Sequence, residues 1–571
     1  MARIICLGIE STADNLGVGV ASSDGAILAN EVSTYTPEKG GIHPREAARH
    51  HAMEIGEVIA RALERAGLEA GDIDVVAFSR GPGLGPCLRT GATAARALAS
   101  YLGVPLVGVN HCVAHIEIGR LSSGAEDPLT LYVSGGNTIV AGFEAGRYRV
   151  YGETLDIAVG NCLDVFAREA GLPYPGGPAV ERMALKGERL IPLPYVVKGM
   201  DLSFTGLLTA ALQELKRGCW RLEDLCYSLQ EVAYAMLGEV TERALAHTRK
   251  PELLLTGGVA ANRRLRSIIQ SIAEEHGATP HYVPTGYATD NGAMIAWTGI
   301  LAYTHGMTTP LERSHIDSDW RIDEVEVPWR KEGSKSELKI GRGEDAEPSG
   351  SKMVLISKGA EADLWLDEDW NGRRVIIKRR GKKSYRHPDL DEELRRYRTV
   401  HEAEIIHRAK RAGVSTPIIY QVDPEGKAIV MQYVEGVRVR EALESLDHGD
   451  RVRLFRLIGV KAGRLHGAGI IHGDLTTSNI IWNGESPFFI DFGLAELSRE
   501  AEKRGVDLHL MRRMLMSTHF PHVKELSTAF EEGYRSIMGA EAEEAIRKVR
   551  EIERRGRYVK RENESDMDAD G

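Results

Sequence analysis

The chain is organised around His111-Cys-Val-Ala-His115 and, shortly after it, Leu131-Tyr-Val-Ser-Gly-Gly-Asn-Thr138. Two histidines four residues apart lie on one face of a helix, close enough to bind the same metal ion. The second segment is an apolar strand that runs into small residues, which allow backbone N–H groups to approach a phosphate. On spacing alone, a histidine pair without any ligand is an equally good interpretation. The adjacent glycine loop favours a site for a phosphorylated or adenylylated substrate.

Composition limits the class of protein. With 571 residues, the chain is too long for one hydrophobic core and predicts two to four domains. A net charge of −10 does not indicate nucleic-acid binding and does not exclude it, because local basic patches matter more than the total. The six cysteines form no C-x-x-C pair, which is typical of reduced thiols. Neither a membrane-spanning apolar run nor a cleavable signal pattern is found, so we expect a cytoplasmic protein without a membrane partner.

Two cycles of strands and helices make up the first half of the chain. Apolar strands over residues 3–10 and 15–22 are joined by an acidic and hydroxyl-bearing turn, and the pattern returns at 129–134 and 138–143. Such a start is typical of the nucleotide-binding halves of actin-like and sugar-kinase-like folds, although a β-meander would give it too. The repetition predicts a duplicated α/β fold with a cleft between its halves.

The composition changes at residue 327. From there to residue 352 the chain is polar, with glycine, serine and mixed charge, and it cannot bury a core. We therefore predict a first unit over residues 1–326, a flexible linker over 327–352 and a second unit with its own core over 353–560. The acidic end, 561–571, is predicted to be a disordered tail.

The second unit carries the sharpest motifs, Ile471-His-Gly-Asp-Leu-Thr-Thr-Ser-Asn479 and Phe489-Ile-Asp-Phe-Gly493. Their order and spacing match a kinase catalytic loop followed by the D-F-G magnesium site, so coincidence is a poor explanation. Phosphoryl transfer from ATP needs an aspartate at the acceptor hydroxyl and further groups on Mg²⁺. We assign Asp474 as the proton acceptor, and Asn479 and Asp491 as the Mg²⁺ ligands.

The remaining ATP-binding residues are assigned on the same template. Lys378 is the strand lysine for the phosphates, and Glu402 is its predicted ion-pair partner, with Glu404 as the alternative. The phosphate loop lacks the G-x-G-x-x-G pattern, Gly473 replaces the arginine of H-R-D, and no A-P-E segment follows. The predicted loop residues are Ser357, Lys358, Gly359, Ala360, Glu361 and Ala362.

With these departures, the second unit resembles the small atypical serine/threonine kinase of the KEOPS complex, the piD261 family. The resemblance covers residues 353 to 560 and implies an α+β atypical small protein-kinase fold. It also implies a kinase or ATPase rather than a regulated signalling kinase.

Six motifs follow one another in the first unit: Gly8-Ile-Glu-Ser-Thr12, His111-x-x-x-His115, Tyr132-Val-Ser-Gly-Gly-Asn-Thr138, Asp156-x-x-x-Gly160-Asn161, Gly257-Gly-Val-Ala-Ala-Asn262 and Ala288-Thr-Asp-Asn-Gly292. With these motifs in this order, the first unit resembles the universal TsaD-type tRNA threonylcarbamoyltransferases, over about residues 1–325. The resemblance implies an α/β actin-like ATPase fold with one metal ion. The two resemblances together match the archaeal KEOPS fusion of transferase and kinase, and imply other KEOPS subunits as partners.

The resemblance also implies the chemistry. The threonylcarbamoyl group of threonylcarbamoyl-AMP is transferred to N6 of adenosine 37 in tRNAs that read codons beginning with A, which gives N6-threonylcarbamoyladenosine (t6A). The implied metal ligands are His111, His115, Tyr132 and Asp290, which suit iron, with zinc as the alternative. The implied donor-binding residues are Tyr132, Val133, Ser134, Gly135, Gly136, Asp164, Gly177, Glu181 and Asn262.

Other classes of function are weaker. A metallopeptidase normally needs H-E-x-x-H, whose glutamate is the general base, and Cys112 stands at that position. An ATP-dependent assembly or DNA-binding module without acyl transfer is compatible with the fold alone. A kinase acting on outside proteins is disfavoured by the missing A-P-E segment.

Basic residues also predict where tRNA binds. We expect Lys382, Lys383, Arg386 and the segment Arg554-Arg-Gly-Arg557 to contribute phosphate contacts on a surface that spans both units.

Overall fold

The computed structural model describes residues 3–37, 41–331 and 353–555. Its first unit contains two five-stranded sheets with the same connectivity. Each sheet begins with an antiparallel meander of three strands, to which two later strands are added parallel to the first. Glu10 and Tyr132, at the ends of the two corresponding first strands, both contact His111. The predicted duplicated fold is therefore present, and the carboxyl ends of its two sheets meet.

Strands and helices of the first unit alternate as the apolar periodicity predicts. The first sheet consists of β1 (Ile5–Glu10), β2 (Asn15–Ser22), β3 (Ile27–Thr34), β4 (Val75–Gly81) and β5 (Leu106–Asn110). The second consists of β6 (Pro128–Val133), β7 (Thr138–Glu144), β8 (Arg147–Glu153), β11 (Glu252–Thr256) and β12 (Thr279–Tyr282), and β9 (Val197–Lys198) and β10 (Asp201–Leu202) form a separate hairpin. The helices are α1 (Pro44–Ala66), α2 (Gly85–Leu102), α3 (His111–Ser123), α4 (Val159–Glu169), α5 (Gly176–Ala184), α6 (Thr205–Arg217), α7 (Leu222–Thr248), α8 (Arg263–His276), α9 (Thr285–Ala288) and α10 (Gly292–Thr304).

The second unit has the two lobes of a kinase. An antiparallel five-stranded sheet with one long helix forms the first lobe, and helices with two small sheets form the second. The first lobe comprises β13 (Met353–Lys358), β14 (Asp363–Trp370), β15 (Arg373–Arg379), α11 (Pro388–Arg411), β16 (Ile419–Asp423) and β17 (Ala428–Gln432). The second comprises β18 (Val437–Arg438), α12 (Val439–Ala442), α13 (His448–Gly467), β19 (Ile470–Ile471), β20 (Ile480–Trp482), β21 (Pro487–Phe489), β22 (Glu496–Leu497), α14 (Ala501–Thr518), α15 (Val523–Met538) and α16 (Ala540–Arg555).

The predicted start of the linker at residue 327 is wrong. Val327 is fully buried, and its N–H donates to the Gly146 carbonyl oxygen at 2.9 Å. Arg330 is also buried, where it pairs with Asp127 at 3.0 Å and lies over the Phe143 ring. The first unit therefore extends at least to residue 330. The rest of the predicted linker, and the acidic tail 561–571, lie outside the described residues.

The second unit has a core of its own, as predicted, but the two units are not separate. The core around α7 takes in Tyr385, Leu390 and Leu494 from the second unit. Tyr385 is 1% exposed, and its hydroxyl donates to Glu242 of α7 at 3.0 Å. The two units thus share a buried interface centred on α7, which the composition of either unit alone does not reveal.

None of the helices in the described parts of the chain combines the length and the apolarity needed to cross a lipid bilayer. All six cysteines are free thiols, and only Cys219 is exposed.

Candidate functional site

The first candidate site is built where α3 begins. The Asn110 side chain accepts hydrogen bonds from the backbone N–H groups of Cys112 and Val113, at 3.0 and 3.1 Å. This N-cap starts the helix at His111, immediately after β5, so that His111 and His115 lie one turn apart on the buried face. The local sequence thus fixes both imidazoles at the junction of the two sheets.

Four side chains converge at this point. His115 Nε2 lies 3.1 Å from Asp290 Oδ1, and His111 Nε2 lies 3.6 Å from the same oxygen. The Tyr132 hydroxyl is 3.2 Å from His111 Nε2. The potential ligand atoms of His111, His115 and Asp290 all lie within 4.8 Å of one another. Two imidazoles, a carboxylate and a phenol at these separations fit the coordination shell of a transition-metal ion.

The electrostatics of the centre favour a cation. Glu10 is fully buried, and its Oε2 lies 3.0 Å from His111 Nδ1, which is the nitrogen that faces away from the other ligands. Burial lowers the pKa of His111, but the Glu10 and Asp290 carboxylates outweigh it and raise that pKa to about 9. A carboxylate on the far nitrogen of a ligating histidine orients the ring and increases its basicity. Glu10 belongs to the motif Gly8-Ile-Glu-Ser-Thr12, but the motif alone assigns no role to it.

The glycine loop, Ser134–Gly136, follows β6 directly. The Ser134 N–H donates to the Asn137 carbonyl oxygen at 2.8 Å, and the Asn137 N–H donates to Ser134 Oγ at 3.0 Å. These bonds fold the loop into a tight turn next to Tyr132, while Gly135 stays exposed. The turn places small residues beside the candidate metal centre, as an anion site requires.

The other predicted donor-binding residues form a wall that continues from the glycine loop. Asp164 on α4 accepts a hydrogen bond from the Gly176 N–H at 2.7 Å, and burial raises its pKa. Glu181 on α5 accepts from the Arg263 N–H at 2.9 Å. Gly177 borders open space, since a Cβ there would meet no atom closer than 3.9 Å.

Asn262 is the exception in this wall. Its side-chain oxygen caps α8 by accepting from Arg264 N–H at 2.9 Å, and its amide nitrogen donates to Gln230 at 3.0 Å. Asn262 is only 6% exposed, so its side chain shapes the wall rather than reaching into the cleft.

The second candidate site is the kinase cleft. Lys378 Nζ lies 2.9 Å from Glu402 and 2.6 Å from Asp491, while Glu404 is exposed and pairs with Arg408. Burial raises the pKa of Asp491, but the Lys378 ammonium outweighs it and leaves that pKa below the ordinary value. The structure thus joins the strand lysine, the helix glutamate and the D-F-G aspartate in one cluster.

Around Asp474, the catalytic loop is held by a residue that the sequence did not single out. Asp507 on α14 accepts from the backbone N–H groups of His472 and Gly473, at 2.6 and 2.8 Å. Asn479 donates to the Asp474 carbonyl oxygen at 3.0 Å. Gly473 has φ +75°, and a Cβ there would lie 2.1 Å from the Leu494 carbonyl oxygen, which explains why no arginine follows the histidine.

The first unit reaches into this cleft. Arg243 of α7 pairs with Asp474 at 3.1 Å and with Glu361 at 2.6 Å. The β9–β10 hairpin (197–202, the interface hairpin) also lies against the cleft, because a Cβ on Gly199 would be 2.9 Å from Asp474 Oδ1. Burial raises the pKa of Asp474 to about 6, although Arg243 opposes this rise.

The Glu361 side chain does not fit the role in the ATP phosphate loop that was predicted for it. Ser357 and Lys358 end β13, and residues 359–362 form the turn to β14, closed by Gly359 N–H donating to the Ala362 carbonyl oxygen at 3.2 Å. The Glu361 side chain, however, is 8% exposed and pairs with Arg380 and Arg243. Its carboxylate is therefore part of the ionic contact between units, and a negative group there is unsuited to a phosphate.

The predicted tRNA surface needs correction. Lys383 pairs with Glu242 of α7 at 2.6 Å, and Arg386 is 7% exposed and pairs with Glu239 at 2.7 Å. Both therefore serve the contact between units, and Lys382 alone of the three is exposed. The side chains of Arg554 and Arg555, and residues 556 and 557, lie outside the described residues.

This correction gives a prediction for stability. Arg386→Met should destabilise the chain by about 3 kcal/mol, because it removes a partner from the buried Glu239 carboxylate. Thermal denaturation of the full chain measures the loss. Lys382→Met is the matched control and should change stability by less than about 0.5 kcal/mol. Equal stability of the two variants would contradict the assigned role of Arg386.

Comparisons with known proteins find matches to each of the two units and to the chain as a whole. A family model described as "TsaD: tRNA N6-adenosine threonylcarbamoyltransferase" matches residues 26–297, and one described as "RIO1: RIO domain" matches residues 372–503. Proteins named "Probable bifunctional tRNA threonylcarbamoyladenosine biosynthesis protein" are similar over nearly their whole length. The one from Methanothermobacter thermautotrophicus is 52% identical over 97% of this chain and 100% of its own, and that from Methanosarcina mazei is 48% identical over 98% and 100%.

Proposed function

The chain belongs to the family of bifunctional tRNA threonylcarbamoyladenosine biosynthesis proteins, which join a TsaD transferase domain to a RIO kinase domain, and on this basis we propose which residues carry out each reaction. The overall function is the formation of t6A in tRNA, and both domains are enzymes. The assignments that follow concern donor, acceptor, ligands and partners.

The transferase uses threonylcarbamoyl-AMP as donor and N6 of adenosine 37 as acceptor. The observation that carries this proposal is the placing of the glycine loop directly beside Tyr132, His111 and His115. Backbone N–H groups of Ser134–Gly136 hold the donor phosphate, and the wall formed by Asp164, Gly177 and Glu181 holds the nucleoside. When N6 attacks the carbamoyl carbon, the bond to the phosphate oxygen breaks, and N6 gives up one proton to solvent. The loop amides stabilise the negative charge on the leaving AMP.

His111, His115, Tyr132 and Asp290 would hold one metal ion, for which iron is our first choice and zinc the second. The donor set suits either ion, and the buried Glu10 behind His111 adds the second carboxylate expected around a cation. When bound, the ion would supply Lewis acidity toward the donor phosphate. Elemental analysis of the purified chain decides between the two metals.

The experiment that tests the transferase proposal is direct. Full chain, threonylcarbamoyl-AMP and unmodified tRNA are incubated, and the tRNA nucleosides are then separated and identified. We expect t6A at position 37 in tRNAs that read codons beginning with A. Absence of t6A, both alone and after addition of the other KEOPS subunits, would contradict the proposal.

The kinase binds ATP with Mg²⁺ held by Asn479 and Asp491, and Lys378 on the phosphates. We propose that in the fused chain it drives or regulates the transferase rather than phosphorylating outside proteins. The support is that Arg243 and the interface hairpin lie where an acceptor hydroxyl would approach Asp474. The free, mostly buried thiols support a reducing compartment, the cytoplasm, for both activities.

Replacing Arg243 is expected to raise the kinase activity toward an added protein. Arg243→Ala should raise phosphorylation of an added model protein by about tenfold or more, because it frees the Asp474 carboxylate and opens the acceptor side of the cleft. Transfer of labelled phosphate from ATP to casein by the full chain measures this. Arg249→Ala, at the end of the same helix, is the control. Unchanged or lower phosphorylation in Arg243→Ala would contradict the blocking role.

A further inference from the structure

The motif Asp156-x-x-x-Gly160-Asn161 has no role in either reaction as described so far. It follows β8, between the glycine loop of the transferase and the interface hairpin that lies in the kinase cleft. The contacts on each side of this motif form a continuous series from one active site to the other.

At the kinase end, the interface hairpin is anchored to the segment that follows the D-F-G motif. Lys198 Nζ lies 3.0 Å from Glu496 and donates to the Leu494 carbonyl oxygen at 3.4 Å. Gly199, at the tip with φ +58°, packs against the Asp474 carboxylate. Any movement of the catalytic loop or of residues 494–496 therefore meets the hairpin directly.

At its other end, the interface hairpin is attached to β8 and the residues after it. Asp201 accepts from the Glu153 N–H at 2.9 Å, and the Leu155 N–H donates to the Leu202 carbonyl oxygen at 2.8 Å. The tip lies so close to β8 that a Cβ on Gly152 would be 2.0 Å from the Met200 carbonyl oxygen. The hairpin and the end of β8 are thus packed as one body.

Asp156 is where these contacts concentrate. One of its carboxylate oxygens accepts from the Phe204 N–H at 2.9 Å and from its neighbour Ile157 N–H at 2.8 Å. The other accepts from the Thr205 N–H at 3.1 Å and from the Ser203 hydroxyl. Both oxygens are therefore surrounded by donors, which connect the chain leaving the hairpin to the chain leaving β8.

From Asp156 the contacts continue to the glycine loop. The Val159 N–H donates to Thr138 Oγ at 2.9 Å, and the Gly160 N–H donates to the Ser134 carbonyl oxygen at 3.2 Å. A Cβ on Gly160 would lie 2.5 Å from the Ser134 oxygen and 2.8 Å from the Gly135 nitrogen. The start of α4 therefore fixes the backbone of the loop that would hold the donor phosphate.

We propose that Asp156 is a positioning residue for the transferase, because it holds the glycine loop in place and connects it to the interface hairpin at the kinase Asp474. The inference rests on the proposed function of the glycine loop. Asp156 touches no reacting atom, and it acts through the backbone of residues 157–160. The same contacts give the kinase a physical route by which its state alters donor binding.

The test uses Asp156→Asn in the full chain. Asparagine has the same shape, but its NH₂ group would face N–H or O–H donors in either orientation, so the cluster cannot be satisfied. Amide hydrogen exchange of the peptide 131–138 should become at least about tenfold faster. The KM for threonylcarbamoyl-AMP should rise by a similar factor, while kcat changes less, because loop order is needed mainly to bind the donor.

Three further variants sharpen the test. Asp224→Asn removes another carboxylate that accepts backbone N–H bonds, at 2.8 Å from Glu188 and 3.2 Å from Arg189, and should leave exchange at 131–138 unchanged. Lys198→Ala combined with Arg513→Met removes the Lys198–Glu496 and Arg513–Asp201 ion pairs between the interface hairpin and the kinase, and should speed exchange at 131–138 to a smaller extent. Should Asp156→Asn disturb folding, Ser203→Ala removes one donor of the same cluster and should show the same trend.

The outcomes separate the inference from the function on which it rests. Normal exchange at 131–138 in Asp156→Asn and Ser203→Ala would overturn the positioning role, even if the unaltered chain forms t6A. Faster exchange in Asp156→Asn but not in the variant with both Lys198→Ala and Arg513→Met would overturn the connection to the kinase. Exchange needs no substrate, so faster exchange in a chain that forms no t6A would support the positioning role while the proposed transferase activity fails.

Discussion

His115→Ala should lose most of the bound metal and reduce t6A formation by roughly 100- to 1000-fold. His115 is fully buried, stacks on the Tyr132 ring at a centroid distance of 4.7 Å and lies 3.1 Å from Asp290. Removing it takes one of two imidazoles from the centre and leaves the Asp290 carboxylate with one fewer partner. Metal content is measured by elemental analysis, and transfer by nucleoside analysis of the tRNA.

A matched control is available in the same unit. His305 is exposed at the end of α10, so His305→Ala should keep both metal and transfer activity. ATP hydrolysis by the kinase shows that the His115→Ala chain remains folded, because the two units share a core through Tyr385 and Leu494. Full metal content in His115→Ala would contradict the assignment of the ligand set, whatever the activity.

Local patterns and known templates were enough to predict which side chains come together at the candidate metal centre and in the kinase cluster. The i, i+4 histidine spacing specifies one helix face, and the kinase motifs specify side chains at fixed distances along the chain. The repeated strand-turn-strand start likewise predicted the duplicated sheets, because pairing within a meander is local. These predictions depend on residues that are close in sequence or that belong to a known template.

Contacts between units could not be predicted in this way. Glu239 and Glu242 are carboxylates on α7, a helix that is almost entirely buried, and such a position could have indicated cationic partners. Nothing in the sequence pattern identifies Arg386 and Lys383 as those partners. A basic cluster looks the same in sequence whether it binds a phosphate or a buried carboxylate. Arg243 was missed for the same reason, since its i, i+4 spacing from Glu239 suggests only a pair within one helix.

The second large effect is expected at the kinase. Asp491→Asn should reduce ATP hydrolysis by roughly 100- to 1000-fold, because a neutral amide replaces the carboxylate proposed to hold Mg²⁺. The substitution keeps the shape of the side chain, and Lys378 keeps its pair with Glu402 at 2.9 Å. The cluster should therefore stay folded while the metal-binding charge is lost. Phosphate release from ATP by the full chain measures the effect.

The full chain is required in this experiment, since Tyr385, Leu390 and Leu494 pack in the core of the first unit and a separated kinase would expose them. Asp389→Asn, whose side chain is 86% exposed on α11, is the matched control and should hydrolyse ATP normally. Metal content of the transferase should be unchanged in both variants, because its proposed ligands lie at the junction of the two sheets of the first unit. Undiminished ATP hydrolysis in Asp491→Asn would contradict the magnesium role. A parallel fall in t6A formation, with the transferase metal retained, would locate the coupling between the two reactions in the shared interface rather than in either active site.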